Sequence, residues 1–168
     1  TRIIQTHCQR VNNIIEDILK LSRRNPSQKQ KVMLDQWLVA YVQEQNLCHG
    51  EYSAAFKLSF KQTELNAYID PGHLKQILDN LCANALKYGK PELGSIGMEA
   101  DMENNQPCIR VIDYGPGIDH EGLLHLFEPF FTTSRQGTGL GLYISKELAE
   151  LNQAELSYAK CQDKSCFS

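Results

Sequence analysis

Residues Asp70–Lys90 read DPGHLKQILDNLCANALKYGK, and the reading of this stretch decides the fold. Asp70 followed by Pro71 is a helix start. The carboxylate accepts free amides of the first turn, and proline's fixed φ suits the first helical position, where its missing N–H costs nothing. Gly89 stands where a helix should stop. Between them Leu74, Ile77, Leu78, Leu81 and Ala85 recur at three- and four-residue steps, the spacing of one buried face. A polar stripe of His73, Gln76, Asn80, Asn84 and Lys87 runs beside that face, roughly 100–120° around the cylinder. Asparagine is a poor helix former, so Asn80 and Asn84, one turn apart at the edge of a buried face, need a reason to be there. A neutral amide oxygen suits Mg²⁺, which keeps most of its waters and bridges to phosphates. Lys87 lies one turn further on, in reach of a phosphate oxygen. The plain alternative is an amphipathic helix with solvated asparagines, and this segment alone leaves both open.

The rest of the composition narrows the class. With 168 residues there is room for one compact domain of about 130 residues and an appended element. A net charge of −3 offers no basic footprint for nucleic acid, so no nucleic-acid partner is expected. No apolar run approaches the ~20 residues needed to cross a bilayer, and no signal peptide precedes Thr1. The first residue is not Met, so the chain is expected to be a piece of a longer protein, with any membrane segment upstream. The cysteines at 8, 48, 82, 108, 161 and 166 show neither CxxC nor zinc-ligand spacing and read as reduced thiols.

Taken in order, residues 1–24 carry Ile4, Val11 and Ile18 seven apart, each followed three residues later by His7, Ile14 and Leu21. That is a heptad seam, and a single helix with such a face needs a partner helix. Asn25-Pro26-Ser27-Gln28 breaks it, which divides the chain into a helical element at 1–28 and a domain at 29–168. The domain begins with a short strand at Val32-Met33-Leu34 and a helix capped by Asp35. Strands follow at Phe56–Phe60 and Leu65–Ile69, then the central helix. Strands at Ser95–Met102 and Cys108–Ile112, a helix from Thr138 to Leu151, a strand at Ala154–Tyr158 and one near Cys166 complete it. Helices interrupting runs of antiparallel strands predict an α+β two-layer sandwich rather than a doubly wound parallel sheet.

Two glycine clusters carry chemistry. Asp113-Tyr114-Gly115-Pro116-Gly117 follows an apolar strand, so a carboxylate sits at a strand end beside a backbone free to turn sharply and approach a ligand. Such an acceptor suits a base with an exocyclic amine, as adenine has, although DxGPG alone is also an ordinary turn. Gly137-Thr138-Gly139-Leu140-Gly141-Leu142 feeds a helix N-terminus, an arrangement that offers amides and a positive dipole end to phosphate. It is not the dinucleotide fingerprint, since no strand directly precedes it. Just before it, Leu126-Phe127-Glu128-Pro129-Phe130-Phe131-Thr132-Thr133-Ser134-Arg135 has the composition of a lid, aromatic hinge first and short polar run after.

In order, Asn-x-x-x-Asn-Ala-x-Lys-Tyr, Asp-x-Gly-x-Gly, Phe-Glu-Pro-Phe-Phe and Gly-Thr-Gly-Leu-Gly-Leu resemble the N, G1, F and G2 boxes of sensor histidine kinases, within the GHKL ATPase superfamily. The resemblance covers residues 32–168. It implies a Bergerat sandwich, a mixed β-sheet against three helices, holding ATP and Mg²⁺ between the helical layer and a lid. By position it makes Asn84 the Mg²⁺ ligand with Asn80 beside it, Lys87 and Tyr88 nucleotide contacts, and Asp113 the adenine-binding acid. Gly115, Gly117, Gly137, Gly139 and Gly141 match the backbone-approach positions. Ile118, Thr132, Thr133, Arg135, Thr138, Leu140 and Leu142 complete the expected contacts. Catalysis falls to Asn80, Asn84 and Lys87. Residues 1–24 resemble the second helix of the dimerisation and phosphotransfer hairpin, which implies a homodimer. The short lid resembles kinases paired with NtrC-like response regulators, and among these the run CQRVNNIIEDILKLSRR at 8–24 and the tail resemble the kinases that control type IV pilus genes. The implied location is the cytoplasmic part of a bacterial inner-membrane sensor.

Two departures accompany the resemblance. No histidine stands in the phosphoacceptor motif, and His120-Glu121 lacks the proline that would complete one. The tail ends at Phe167-Ser168, without the usual glycine turn at 163–165. Asn80 also replaces the glutamate that serves as general base in gyrase- and chaperone-type relatives, and an amide cannot accept a proton. The expected function is delivery of the ATP γ-phosphoryl group to a histidine outside these residues. The alternatives are a GHKL ATPase, a serine kinase of the anti-sigma kind, or a non-catalytic nucleotide-sensing dimerisation module.

Overall fold

The computed structural model describes residues 27–48, 56–89, 96–134, 137–161 and 164–168, with isolated helical positions at Val11 and Ile15. The heptad helix therefore lies outside the described residues apart from those two, both exposed.

The domain proper is a mixed five-stranded sheet with helices on one face. Strands β1 (Gln30–Met33), β2 (Phe56–Phe60), β3 (Asn66–Ile69), β4 (Ile96–Glu103), β5 (Gln106–Asp113), β6 (Tyr158–Cys161) and β7 (Lys164–Phe167) alternate with helices α1 (Leu34–Cys48), α2 (Pro71–Tyr88), α3 (His120–His125) and α4 (Gly141–Leu151). The large sheet has the order β2-β4-β5-β7-β6, while β1 and β3 form a separate two-stranded ribbon. Only β2 and β4 run parallel, and the remaining pairs are antiparallel. Among the described residues, three long helices and one short one make the expected α+β sandwich.

Alternation sets which face of the sheet is covered. Ile96, Met98 and Ala100 of β4 are at most 1% exposed and meet the helices, while the residues between them point away. In α2 the buried residues are Leu74, Ile77, Leu78, Leu81, Cys82 and Ala85, the predicted stripe widened by one thiol. Leu34, Leu38, Tyr41 and Val42 do the same for α1. Tyr41 donates to Asp79 across the two helices at 2.9 Å. Burial, with Cys82 and Asp79 nearby, pushes its hydroxyl far above the ordinary tyrosine range. Burial likewise pushes the Cys82 thiol up to about 12, which leaves it an inert core group. Asn104 and Asn105 both take positive φ, 49° and 65°, so β4 and β5 join through a two-residue turn of the kind asparagine tolerates.

Two sequence expectations shift, and the final strand expected near Cys166 is present. Helix α1 starts at Leu34, directly off β1, and Asp35 caps nothing beyond the Gln36 amide. The strand expected at Ala154–Tyr158 begins only at Tyr158, because Gln153 turns at φ 60° and the Ala154 amide is still bonded to Ala149. The last strand is complete: β7 pairs with β5 on one side and β6 on the other.

At the start of α2 the fold is tied by polar groups. Asp70 Oδ1 accepts the Gly72 and His73 amides at 2.8 and 3.2 Å, the predicted cap. Its Oδ2 accepts the Gln28 amide at 2.7 Å, from the segment that enters the domain. Asn152, 6% exposed, sits behind it. Its Oδ1 accepts the Asp70 amide at 2.9 Å and the Ser27 hydroxyl at 3.4 Å. Its Nδ2 donates to the Leu148 carbonyl at 2.7 Å and meets His73 Nδ1 at 3.0 Å. Burial alone would raise the Asp70 carboxyl, but the Gln28, His73 and Gly72 amides outweigh it and hold the group below its ordinary 3.8. A depressed carboxylate stabilises the fold above its unfolded pKa and loses that contribution as pH falls through the folded value. Asp70→Ala should therefore cost about 2–3 kcal/mol at neutral pH in denaturant unfolding. Asp70→Asn, which keeps an oxygen for the cap, should cost less and flatten the acid limb of the stability profile. An unaltered acid limb would remove Asp70 from this role.

Candidate functional site

The last turn of α2 lies directly on the end of β5. Gly89 has φ −83°, so it is not a left-handed stop. Glycine is required there for space: a Cβ would fall 2.2 Å from the Ala85 carbonyl oxygen and 2.7 Å from Asp113 Cβ. A Cβ on Gly115 would lie 2.6 Å from the Tyr88 oxygen, and the Tyr114 amide donates to Gly89 at 3.3 Å. Two backbones thus touch with nothing between them, which joins the first and second sequence boxes.

Asp113 closes this corner. It is 6% exposed, accepts the Gly115 amide at 2.7 Å, and is hydrogen-bonded by Ser165 across the β5–β7 pair. Burial pushes its carboxyl up, with the Gly115 amide and Ser165 opposing. Among the described residues no cation pairs with it. A buried carboxylate of this kind is an acceptor awaiting a donor.

The polar stripe of α2 faces α4. Asn80 Nδ2 donates to the Gly141 carbonyl and to Ser145 Oγ, both at 3.0 Å. Since a carbonyl oxygen only accepts, the amide orientation is fixed. Ser145, fully buried, donates in turn to Gly141 at 2.9 Å. Asn84 is half-buried, and among the described residues its amide makes no hydrogen bond. Lys87 is exposed, its Nζ 5.1 Å from the Tyr88 ring centre.

Helix α4 starts at Gly141, three residues later than the sequence suggested. Gly139, at φ +72°, cannot be helical, and a Cβ on it would strike the Phe130 backbone at 2.4 Å. Leu140, at the cap position, supplies no side-chain bond, so no side chain caps the first amides of α4. The side chains of Leu140 and Leu142 pack into the interior. Any ligand contact from them is through backbone. Phe130 donates its amide to Gly139 at 2.9 Å and itself holds φ 68°, a strained conformation for an aromatic residue. Thr132 Oγ1 accepts the Ser134 amide at 3.1 Å and crowds Gly137. Thr138 Oγ1 accepts the Leu140 amide at 3.2 Å. Thr133 is exposed, and Arg135 lies outside the described residues. Gly117 and Ile118 follow Asp113 beneath β6.

The structure thus brings Asn80 to Gly141, and Tyr88 to Asp113 and Gly115. It adds Ser145 and Ser165, which nothing in the local pattern marked. Among the described residues no cluster of His, Cys, Asp or Glu would hold a metal by itself. A groove of about 600 Å³ between α1 and α2, lined by Gln45, Cys48, Lys75, Asp79, Ala83, Leu86 and Lys87, is a separate feature, sharing only Lys87 with this site.

Residues 69–167 match the histidine kinase-, DNA gyrase B- and HSP90-like ATPases, and the chain belongs to that family. Within it the relatives are histidine kinases. The chain is 38% identical, over 99% of its length, to sensor protein kinase PilS of Pseudomonas aeruginosa, covering 32% of that protein. It is 31% identical over 89% of its length to the histidine kinase AtoS of Escherichia coli, covering 24% of it. It therefore spans about a third or less of these relatives. The catalytic domain of histidine kinase ThkA superposes with TM-score 0.71 at 25% identity, over 83% of this chain and 92% of that one. ThkA in complex with the response regulator TrrA has the same fold, TM-score 0.77 at 23% identity, over 98% of this chain and 48% of that one. The domain is thus an ATPase-family domain of the kind found in the sensor histidine kinases it resembles. Among the described residues no helix is long and apolar enough to cross a membrane.

Asn80→Ala removes both bonds that clasp α2 to α4 and should cost about 1–3 kcal/mol in denaturant unfolding. An unchanged midpoint would show that the clasp carries no stability.

Proposed function

We propose that this domain binds ATP with Mg²⁺ and delivers the γ-phosphoryl group to a histidine elsewhere in the protein, from which an NtrC-like response regulator takes it. The carrying observation is the buried Asp113 carboxylate, unpaired by any described cation, at the corner where α2 and the glycine loop touch. That corner suits an adenine edge, with the exocyclic amine donating to the carboxylate. Tyr88, Gly115, Gly117 and Ile118 then border the base. Lys87, Thr132, Thr133, Arg135, Thr138 and the amides of Gly137–Leu142 serve the phosphates, where the uncapped start of α4 favours negative charge.

The residues fit the metal. Asn84 offers a free neutral oxygen, and Mg²⁺ binds through one or two protein oxygens plus phosphates rather than a dedicated cage. Bound there, Mg²⁺ supplies charge neutralisation on the phosphates. Phosphoryl transfer then asks the protein mainly for positioning and electrostatics. Asn80 accepts no proton, and its amide is already engaged with α4, which argues against the hydrolytic reading in which this position activates water.

Residues 1–28 form the second helix of a dimerising hairpin in this reading, with 29–168 as the catalytic domain. Control of pilus genes, the homodimer and attachment to an inner membrane through upstream segments rest on the sequence resemblance. No nucleic acid is involved.

Asp113→Asn should weaken ADP binding about tenfold and narrow the preference for adenine over guanine, because an amide presents a donor as well as an acceptor. Competition titration measures this, and unchanged selectivity would end the role of Asp113. Incubated with labelled ATP, the chain alone should hold no stable phosphohistidine. Addition of the acceptor region and regulator should move label to both. Acid-labile, base-stable label on the isolated chain at near-stoichiometric yield would refute the assignment of the acceptor.

A further inference from the structure

The loop after Asp113 is held by the last hairpin. In β6–β7, Tyr158 lies opposite Phe167 and Lys160 opposite Ser165. In β5–β7, Ser165 lies opposite Asp113. Two side chains of β6 reach back over the loop. The Tyr158 hydroxyl oxygen accepts the Ile118 amide at 3.0 Å, and Lys160 Nζ donates to the Pro116 carbonyl at 2.8 Å. Gly117 runs beneath them at φ +75°, where a Cβ would come within 3.0 Å of both the Tyr158 oxygen and Lys160 Cδ.

The Tyr158 hydroxyl also donates, to Ser165 Oγ at 3.4 Å, and Ser165 is bonded to the Asp113 carboxylate. The chain of donors has one direction: Ile118 amide to Tyr158, Tyr158 to Ser165, Ser165 to Asp113. Each hydroxyl accepts once and donates once. The carboxylate at the end fixes the order, because an ionised carboxylate only accepts. The tyrosine ring is held independently of its oxygen, packed on Phe167 at 5.0 Å between centres.

We propose that Tyr158 is a positioning residue for base recognition. Through Ser165 it sets the direction in which Asp113 presents its oxygens, and through Ile118 it sets the loop against which the base lies. The proposal rests on Asp113 as the adenine acceptor. Discrimination between an exocyclic amine and a carbonyl needs an acceptor that cannot swing away, because a site adaptable to either edge rejects neither.

Tyr158→Phe deletes one oxygen and keeps the ring contact. Titrations of ADP and GDP with Mg²⁺ against wild type, Tyr158→Phe, Asp113→Asn and the double variant test the proposal. The single variant should weaken ADP about fivefold and leave GDP within about twofold, so the adenine preference narrows. In the Asp113→Asn background the same change should alter ADP affinity by less than about twofold, since the route to the base is already cut. Equal weakening of both nucleotides, persistence of the full effect in that background, or unchanged ADP affinity would each overturn the proposal. An Asp113→Asn protein with normal selectivity would overturn the adenine reading and this proposal with it. A normal Asp113→Asn effect beside a neutral Tyr158→Phe would overturn the role of Tyr158 alone. If the variant does not fold, amide exchange on wild type decides: the relay requires slow exchange at Ile118, and fast exchange with and without ADP refutes it.

Discussion

The contact on which this structure depends is the bare approach of α2 to the end of β5. Gly89 and Gly115 leave no side chain between the two backbones, and any Cβ at either position would overlap backbone or Asp113. The helix can therefore come down until its last turn touches the strand end. Asp113, buried, lies at that approach. In the proposed reading, recognition of a base would rest on this buried carboxylate. The core under it, from Met98 to Leu81, supplies the stiffness, and the two glycines supply the distance.

Asn80 shows how one position serves two ends. Its location on the polar stripe invites a role at the phosphates, yet its amide is bonded to Gly141 and Ser145. A carboxylate in its place would face the Gly141 carbonyl, acceptor against acceptor. A relative with glutamate here must hold its two helices together by other means. In this chain the residue at position 80 thus bears on how α2 and α4 are joined.

Local chemistry made much of this legible. Asp70-Pro71 announced its helix, the run Ser95–Met102 announced its strand, and Asn104-Asn105 sat where a tight turn was needed. The start of α4 was misplaced because Thr138-Gly139-Leu140 reads as helix until the positive φ of Gly139 is known. Gly89 was rightly marked as an end, but for the wrong reason. Ser165, Tyr158 and Asn152 gave no sign at all. Their partners Asp113, Ile118 and Asp70 lie 40 or more positions away in sequence, and a serine or asparagine in a short polar run carries no local mark of a distant carboxylate. Such pairings belong to the sheet order, which only the folded chain displays.

The ties at Ser27 and Gln28 have a mechanical consequence. The chain enters the domain already fastened to Asp70, at the head of α2, and to Asn152, at the foot of α4. The entry segment is therefore hydrogen-bonded to both helices at once. With 18 residues, α2 is a rod about 27 Å long, its far end resting on Asp113. The entry of the chain and the corner at Asp113 thus stand at opposite ends of one stiff rod.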